Sequence, residues 1–285
     1  MEMPRPKITP RPPREKPVRI PYTPPHHPVI QALIDKKSVM SAVMLRDMRT
    51  RFFDHGLGFI IVPLWPLVHM AIIIAIHSFA HPVATYGDSV PVFFMTGVLP
   101  FLLFSYISRF MAFSLLTNKS MLAFPIVKIS DILMGRAALE IIAAFLTLFS
   151  MLLLFYAWGD NPFPADWESA TECYLATIYL AFGCGYFVGI CALIYPVVLT
   201  IFQLTIITLY VSSGVFFVPS NLPDEVSKFL FFNPITQCIE WFRTAYYESY
   251  SDKLVSVPYV IGYATITLMA GLLLERSVAR HISDR

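Results

Sequence analysis

Long apolar runs separated by short polar stretches fill the chain from residue 57 onward, at about 57–80, 91–116, 132–158, 172–194, 197–218 and 257–275. Each run has 19–27 residues. At about 1.5 Å per residue, a helix of that length crosses a hydrocarbon core of about 30 Å. Helices satisfy their own backbone donors and acceptors in lipid, so the pattern predicts an all-α integral membrane fold with six transmembrane helices. Runs four and five are divided only by Tyr195-Pro196, which leaves run five readable as a full span or as a re-entrant segment.

Residues 29–54 follow a different rhythm. Leu33, Met40, Met44, Met48 and Phe52 fall close to one helical face, and Lys36, Lys37, Arg46, Arg49 and Arg51 fill other positions. A basic amphipathic helix of this kind is expected to lie in the membrane interface. Before it, residues 1–28 hold ten Pro and six Lys or Arg. Proline removes donors and fixes φ, so this segment reads as an extended, disordered basic arm. The remainder, 55–285, reads as the transmembrane domain.

Between runs five and six, Pro219, Pro223 and Pro234 divide residues 219–256 into short pieces. Ile235, Cys238, Ile239, Phe242 and Tyr246 form a helical stripe, with Glu240, Arg243, Thr244 and Tyr247 off it. Two short helices, about 222–231 and 235–248, are expected at the outer interface, a depth that suits Trp and Tyr.

Composition supports the membrane reading. The chain of 285 residues is 56% hydrophobic and 14% charged, against about 45–50% and about 25% in soluble domains, and its mean hydropathy is +0.62. Net charge is only +2, so its distribution matters more. Residues 1–55 hold eleven Lys and Arg, while 159–171 holds Asp160, Asp166 and Glu168 and no basic residue. The positive-inside rule then places both termini in the cytoplasm.

Several chemistries are missing. There is no G-x-x-x-x-G-K-[ST] phosphate loop, no H-E-x-x-H, no G-x-S-x-G and no Asp-x-Asp, and the four cysteines form no C-x-x-C pair. Neither a metal site nor nucleic-acid binding is expected. The cysteines read as small packing residues, and a Cys173–Cys238 disulfide requires both in an oxidising compartment. Arg109, Arg136 and Glu140 are charges within the spans, and such residues mark functional positions by default. Arg136 can pair with Glu140 at i, i+4, and Arg109 can either snorkel to headgroups or line a polar pathway. His69 and His77 read as facing neighbouring helices. Gly183, Gly185 and Gly189 allow close helix approach. Trp241, Phe242, Tyr246, Tyr247 and Tyr250 in the outer segment, with Phe104 and Tyr106 in span two, are candidate aromatic surfaces for sugar rings or, equally, lipid-facing belt residues.

The basic helix before span one, V-L-P-F-L-L-F-S (98–105), T-N-K-S-M-L-A-F-P (117–125), S-S-G-V-F-F-V-P-S-N-L-P (212–223) and N-P-I-T-Q-C-I-E-W-F-R (233–243) together resemble the ABC-2 type permeases of capsular polysaccharide export. The resemblance covers roughly 29–285. It implies a permease half of an ATP-driven exporter in the bacterial inner membrane, moving capsular or other cell-surface polysaccharide that is free or lipid-linked. It further implies a homodimer, a separate ABC ATP-binding subunit that supplies ATP and Mg, and periplasmic or outer-membrane export partners. No cofactor of this chain's own and no enzymatic activity are implied. On this resemblance Asp47, Arg49, Arg51, Lys119 and Lys128 meet the ATPase, and 222–248 forms an outer gate. The Tyr195-Pro196 turn carries no charge, unlike the corresponding turn of many relatives. An ABC-2 exporter of drugs or small lipids, and a membrane-embedded glycan or lipid biosynthetic enzyme, are the alternative readings.

Overall fold

A computed structural model describes residues 28–51, 64–80, 85–124 and 126–283. The basic arm up to residue 27 and the side chains of Arg49 and Arg51 lie outside the described residues. The described elements are helices: α1 (Pro28–Arg51), α2 (Leu64–Ala80), α3 (Val90–Thr117), α4 (Ile129–Trp158), α5 (Trp167–Ile194), α6 (Val197–Ser212), α7 (Asp224–Phe231), α8 (Pro234–Tyr246) and α9 (Val257–Ser283). Short 3-10 turns occupy Lys119–Ala123 and Pro219–Asn221.

Among the described residues, four helices are long and apolar enough to cross a membrane: α3, α4, α5 and the Val257–Val278 part of α9. The other two expected spans are shorter. The run expected over 57–80 is described from Leu64, because 52–63 lie outside the described residues. The run expected over 197–218 stops at Ser212, giving α6 16 residues, or roughly 24 Å. The cause of that stop is local. Gly214 takes φ +85, a conformation few residues other than glycine adopt, and the chain turns there.

α3 is the centre of the bundle, with 83% of its apolar window buried against 17% for α9. It packs on α5, α4, α8 and α2, and α5 in turn packs on α9. Small residues set these spacings as the sequence pattern predicts. A Cβ on Gly185 would lie 2.9 Å from the Ser108 backbone of α3, and one on Gly183 would lie 2.6 Å from the Ala264 carbonyl of α9. Tyr195-Pro196 does separate α5 from α6. His69 bonds the Tyr210 hydroxyl of α6 at 2.9 Å, and His77 stacks on Phe216 at 5.4 Å, so both histidines face neighbouring helices.

α1 packs along the first half of α4. Its contact face is not centred on the methionine stripe. Val43 is fully buried against Gly135, and Asp47 is buried beside it. Met40, Met44 and Met48 are half-buried, whereas Val29, Ile30, Leu33 and Leu45 remain exposed.

α7 and α8 match the two short helices expected in 219–256, but α8 does not lie on an outer surface. Ile235 to Arg243 are all buried, the off-stripe Glu240 and Arg243 included, and the helix packs between α3 and α5. Its polar residues explain how. Asn233 caps the helix by accepting from the Ile235 N–H at 3.1 Å and donates to Ser213 Oγ at the end of α6 at 2.8 Å. Gln237 donates to the Phe231 carbonyl at 2.6 Å and accepts from the Ser256 N–H at 2.9 Å. α8 thus ties together the ends of α6 and α7 and the start of α9.

Candidate functional site

Two buried charge clusters sit towards opposite ends of α3. At the end shared with α1, Arg136 donates through Nη1 to Asp47 Oδ2 at 3.1 Å and through Nη2 to Glu140 Oε1 at 2.6 Å. The i, i+4 pair expected from sequence is present, and Asp47 of α1 completes it from outside α4. Asn118, fully buried where α3 ends, donates to Asp47 Oδ1 at 3.3 Å. A buried guanidinium is tolerated here because two carboxylates accept from its terminal nitrogens, and the Asn118 amide donates in turn to Asp47. Glu275 of α9 adds a second tie, accepting from the Ser130 N–H at 3.1 Å and from the Tyr186 hydroxyl. Asn118 and Glu275 were not among the residues singled out from sequence. A lone acid near the end of an apolar run was the available signal for Glu275.

At the other end, Arg243 is fully buried. It donates to the Phe217 carbonyl at 2.9 Å and the Val215 carbonyl at 3.2 Å, the backbone groups left over where α6 stops. Glu240 lies 3.6 Å away, and the guanidinium sits 4.3 Å over the Phe93 ring. Glu240 accepts from the Tyr250 hydroxyl at 2.5 Å. Burial pushes the Glu240 carboxyl up, and Tyr250 and Arg243 act against that shift without cancelling it. Gly97 makes this arrangement possible: a Cβ there would lie 2.8 Å from both Arg243 Nη2 and the Val215 carbonyl.

The candidate aromatic residues divide among separate places. Tyr106 lines a cavity of about 380 Å³ beside α3, while Phe104 is buried in the core. Phe242 and Tyr246 face a smaller cavity of about 180 Å³. Trp241 is buried, with Nε1 donating to Ser169 Oγ at 3.0 Å. Tyr247 and Tyr250 pack instead around Tyr86, with centroids at 5.3 and 4.9 Å. Burial lifts the Tyr247 phenol to about 12.

Arg109 lies between two cavities. It lines the 380 Å³ cavity and also a cavity of about 580 Å³ nearer Asn118, and Phe110 is shared with it. Lys119 and Lys128, on the connection from α3 to α4, are exposed, whereas Asp47 is buried under them. All four cysteines are free, and Cys173 Sγ donates to the Cys238 carbonyl at 3.2 Å.

No protein-family model matches the chain. Curated relatives match over most of it. It is 26% identical over 242 residues to the polysialic acid transport protein KpsM of Escherichia coli, covering 85% of this chain and 94% of that protein. It is 23% identical over 255 residues to the capsule polysaccharide export inner-membrane protein CtrC of Neisseria meningitidis serogroup B, covering 90% and 96%. It is 23% identical over 257 residues to the capsule polysaccharide export inner-membrane protein BexB of Haemophilus influenzae, again covering 90% and 96%.

Proposed function

As a homologue of capsule polysaccharide export inner-membrane proteins, this chain is, we propose, the permease subunit of an ATP-driven exporter of cell-surface polysaccharide. The observation that carries the reading is the length of the match, which accounts for nearly the whole of both this chain and its relatives. The cavities along α3 agree with it. The chain transports without making or breaking a covalent bond, and a separate ABC subunit binds ATP and Mg. Two copies enclose the path, and periplasmic or outer-membrane partners receive the glycan, which travels free or lipid-linked.

The division of the chain follows: a basic arm (1–28), an interface helix (29–54) whose exposed Val29, Ile30 and Leu33 enter lipid, and a six-span domain (55–285). In that reading α6 is completed by the turn after it, and both termini are cytoplasmic. The basic residues around α1 and the α3–α4 connection support that orientation. Lys119, Lys128, Arg49 and Arg51 meet the ATPase. Asp47, buried and bonded to Asn118, passes the movement to Arg136 and Glu140. The segment 219–256 is the outer gate, built on α8 wedged between α3 and α5.

A clean deletion in the native bacterium tests this. The expected outcome is loss of surface polysaccharide with polymer retained inside the cell, restored by the intact gene. Surface polysaccharide at the parental level in the deletion strain contradicts the reading.

A further inference from the structure

Arg109 and Arg136 flank one ring, that of Phe110, with their guanidinium carbons 5.1 and 5.0 Å from its centroid. Their situations differ. Arg136 spends both terminal nitrogens on Asp47 and Glu140. Arg109 has no ion pair and no hydrogen bond among the described residues; its contacts are the faces of Tyr106 and Phe110, and its Nε is buried without an acceptor. A half-buried guanidinium has five donors in a planar fork suited to a carboxylate or phosphate. Leaving the buried Nε unused is costly, and the terminal nitrogens, which are not buried, are open to an acceptor from the cavities.

The surroundings indicate what does. On one side lies the cavity whose wall includes Asn118, Thr117, Ser114, Gln203 and the Asp47–Arg136 pair. On the other lies the cavity walled by Leu99, Leu103 and Ala143, by the Tyr106 and Trp65 rings, and by Glu140 and Thr147. Both follow α3, and residues 99 to 118 span roughly 28 Å of that helix. Arg109 stands where two cavities of mixed lining meet, and the carboxylate in each wall, Glu140 and Asp47, is already engaged by Arg136.

We infer that Arg109 binds an anionic group, a carboxylate or a phosphate, on the molecule that this protein carries, and holds it where the two chambers meet. The inference rests on the permease reading. The anion belongs either to an acidic sugar or to a lipid headgroup attached to the glycan. In both cases the guanidinium replaces water on the anion where the two cavities meet, and the Tyr106 and Phe110 faces hold it in place.

The test uses the full chain in phosphatidylcholine nanodiscs. Oligoglucuronate and a neutral glucan oligomer of equal length are titrated in one arm. In the other, phosphatidylglycerol replaces part of the lipid and retained lipid is quantified by mass spectrometry. The wild type should prefer one anionic probe over its uncharged or zwitterionic counterpart by about tenfold or more, equivalent to one charge-assisted hydrogen bond. The arm that shows this identifies the source of the anion. Arg109→Gln should lose the preference and keep the wild-type unfolding midpoint, Arg109→Lys should retain part of it, and Arg136→Gln should lower the midpoint. No preference in the wild type, a preference intact in Arg109→Gln, or a loss accompanied by the same fall in midpoint as Arg136→Gln would overturn the inference. Those outcomes leave the permease reading standing if the deletion strain still lacks surface polysaccharide; a strain that keeps it removes the permease reading instead.

Discussion

Arg136 is held from two helices at once, by Glu140 one turn along α4 and by Asp47 from α1. Removing Asp47 leaves the buried cation with Glu140 alone and one terminal nitrogen without its acceptor, a loss of about 1–3 kcal/mol. Asp47→Ala should therefore lower the midpoint of unfolding in sodium dodecyl sulfate, while Lys119→Ala, at an exposed position, should leave it within about 0.5 kcal/mol. Glu240 gives a pH dependence of its own. Burial raises its folded-state value above the ordinary 4.5, so the fold binds the proton more tightly than the unfolded chain does. Its contribution is fully present below that ordinary value and is lost as pH rises through the raised one. Glu240→Gln should flatten the decline in thermal stability over that range, and an unchanged pH profile in the variant would contradict the assignment. The Arg136–Glu140 pair was legible in sequence because both residues lie on one helix. Asp47 was legible as a polar residue of α1 but not as a partner, since only the docking of α1 on α4 joins them.

At the scale of elements, α8 separates what a stripe can tell from what it cannot. The apolar face of Ile235, Cys238, Ile239, Phe242 and Tyr246 was readable from its spacing. Burial of the opposite face was not, because Glu240 and Arg243 look solvated until Val215 and Phe217 offer their carbonyls and Phe93 its ring. The turn after α6 belongs to the same assembly, since Arg243 donates to the carbonyls of Val215 and Phe217 on either side of it. Gly97→Val should push this assembly apart, as the added carbons meet the Val215 carbonyl and Arg243. The measurement is maleimide labelling with Cys184 and Cys191 replaced by Ser. Cys173 and Cys238, both fully buried, should stay unlabelled in native protein and become labelled in Gly97→Val. Labelling of Cys238 in the otherwise unaltered protein would show α8 lying at a surface.

For the whole molecule, the two charge clusters, the two cavities beside Arg109 and the exposed α3–α4 connection follow α3. On the proposed account, motion at Lys119 and Lys128 reaches Asp47 through Asn118, shifts Arg136 and Glu140, and opens the chambers on either side of Arg109. Charge reversal at both lysines should uncouple ATP hydrolysis from export while leaving folding intact, seen as purified complex with normal thermal stability and reduced glycan-stimulated hydrolysis. The central claim is that this chain moves polysaccharide when an ATPase drives it. Its most direct test reconstitutes the chain in proteoliposomes with an ABC ATP-binding subunit that co-purifies with it from the native strain, and measures glycan that becomes protected from an added glycosidase. The account predicts protection that requires ATP, both proteins and the glycan of the native strain; equal protection without ATP or without this chain would contradict it.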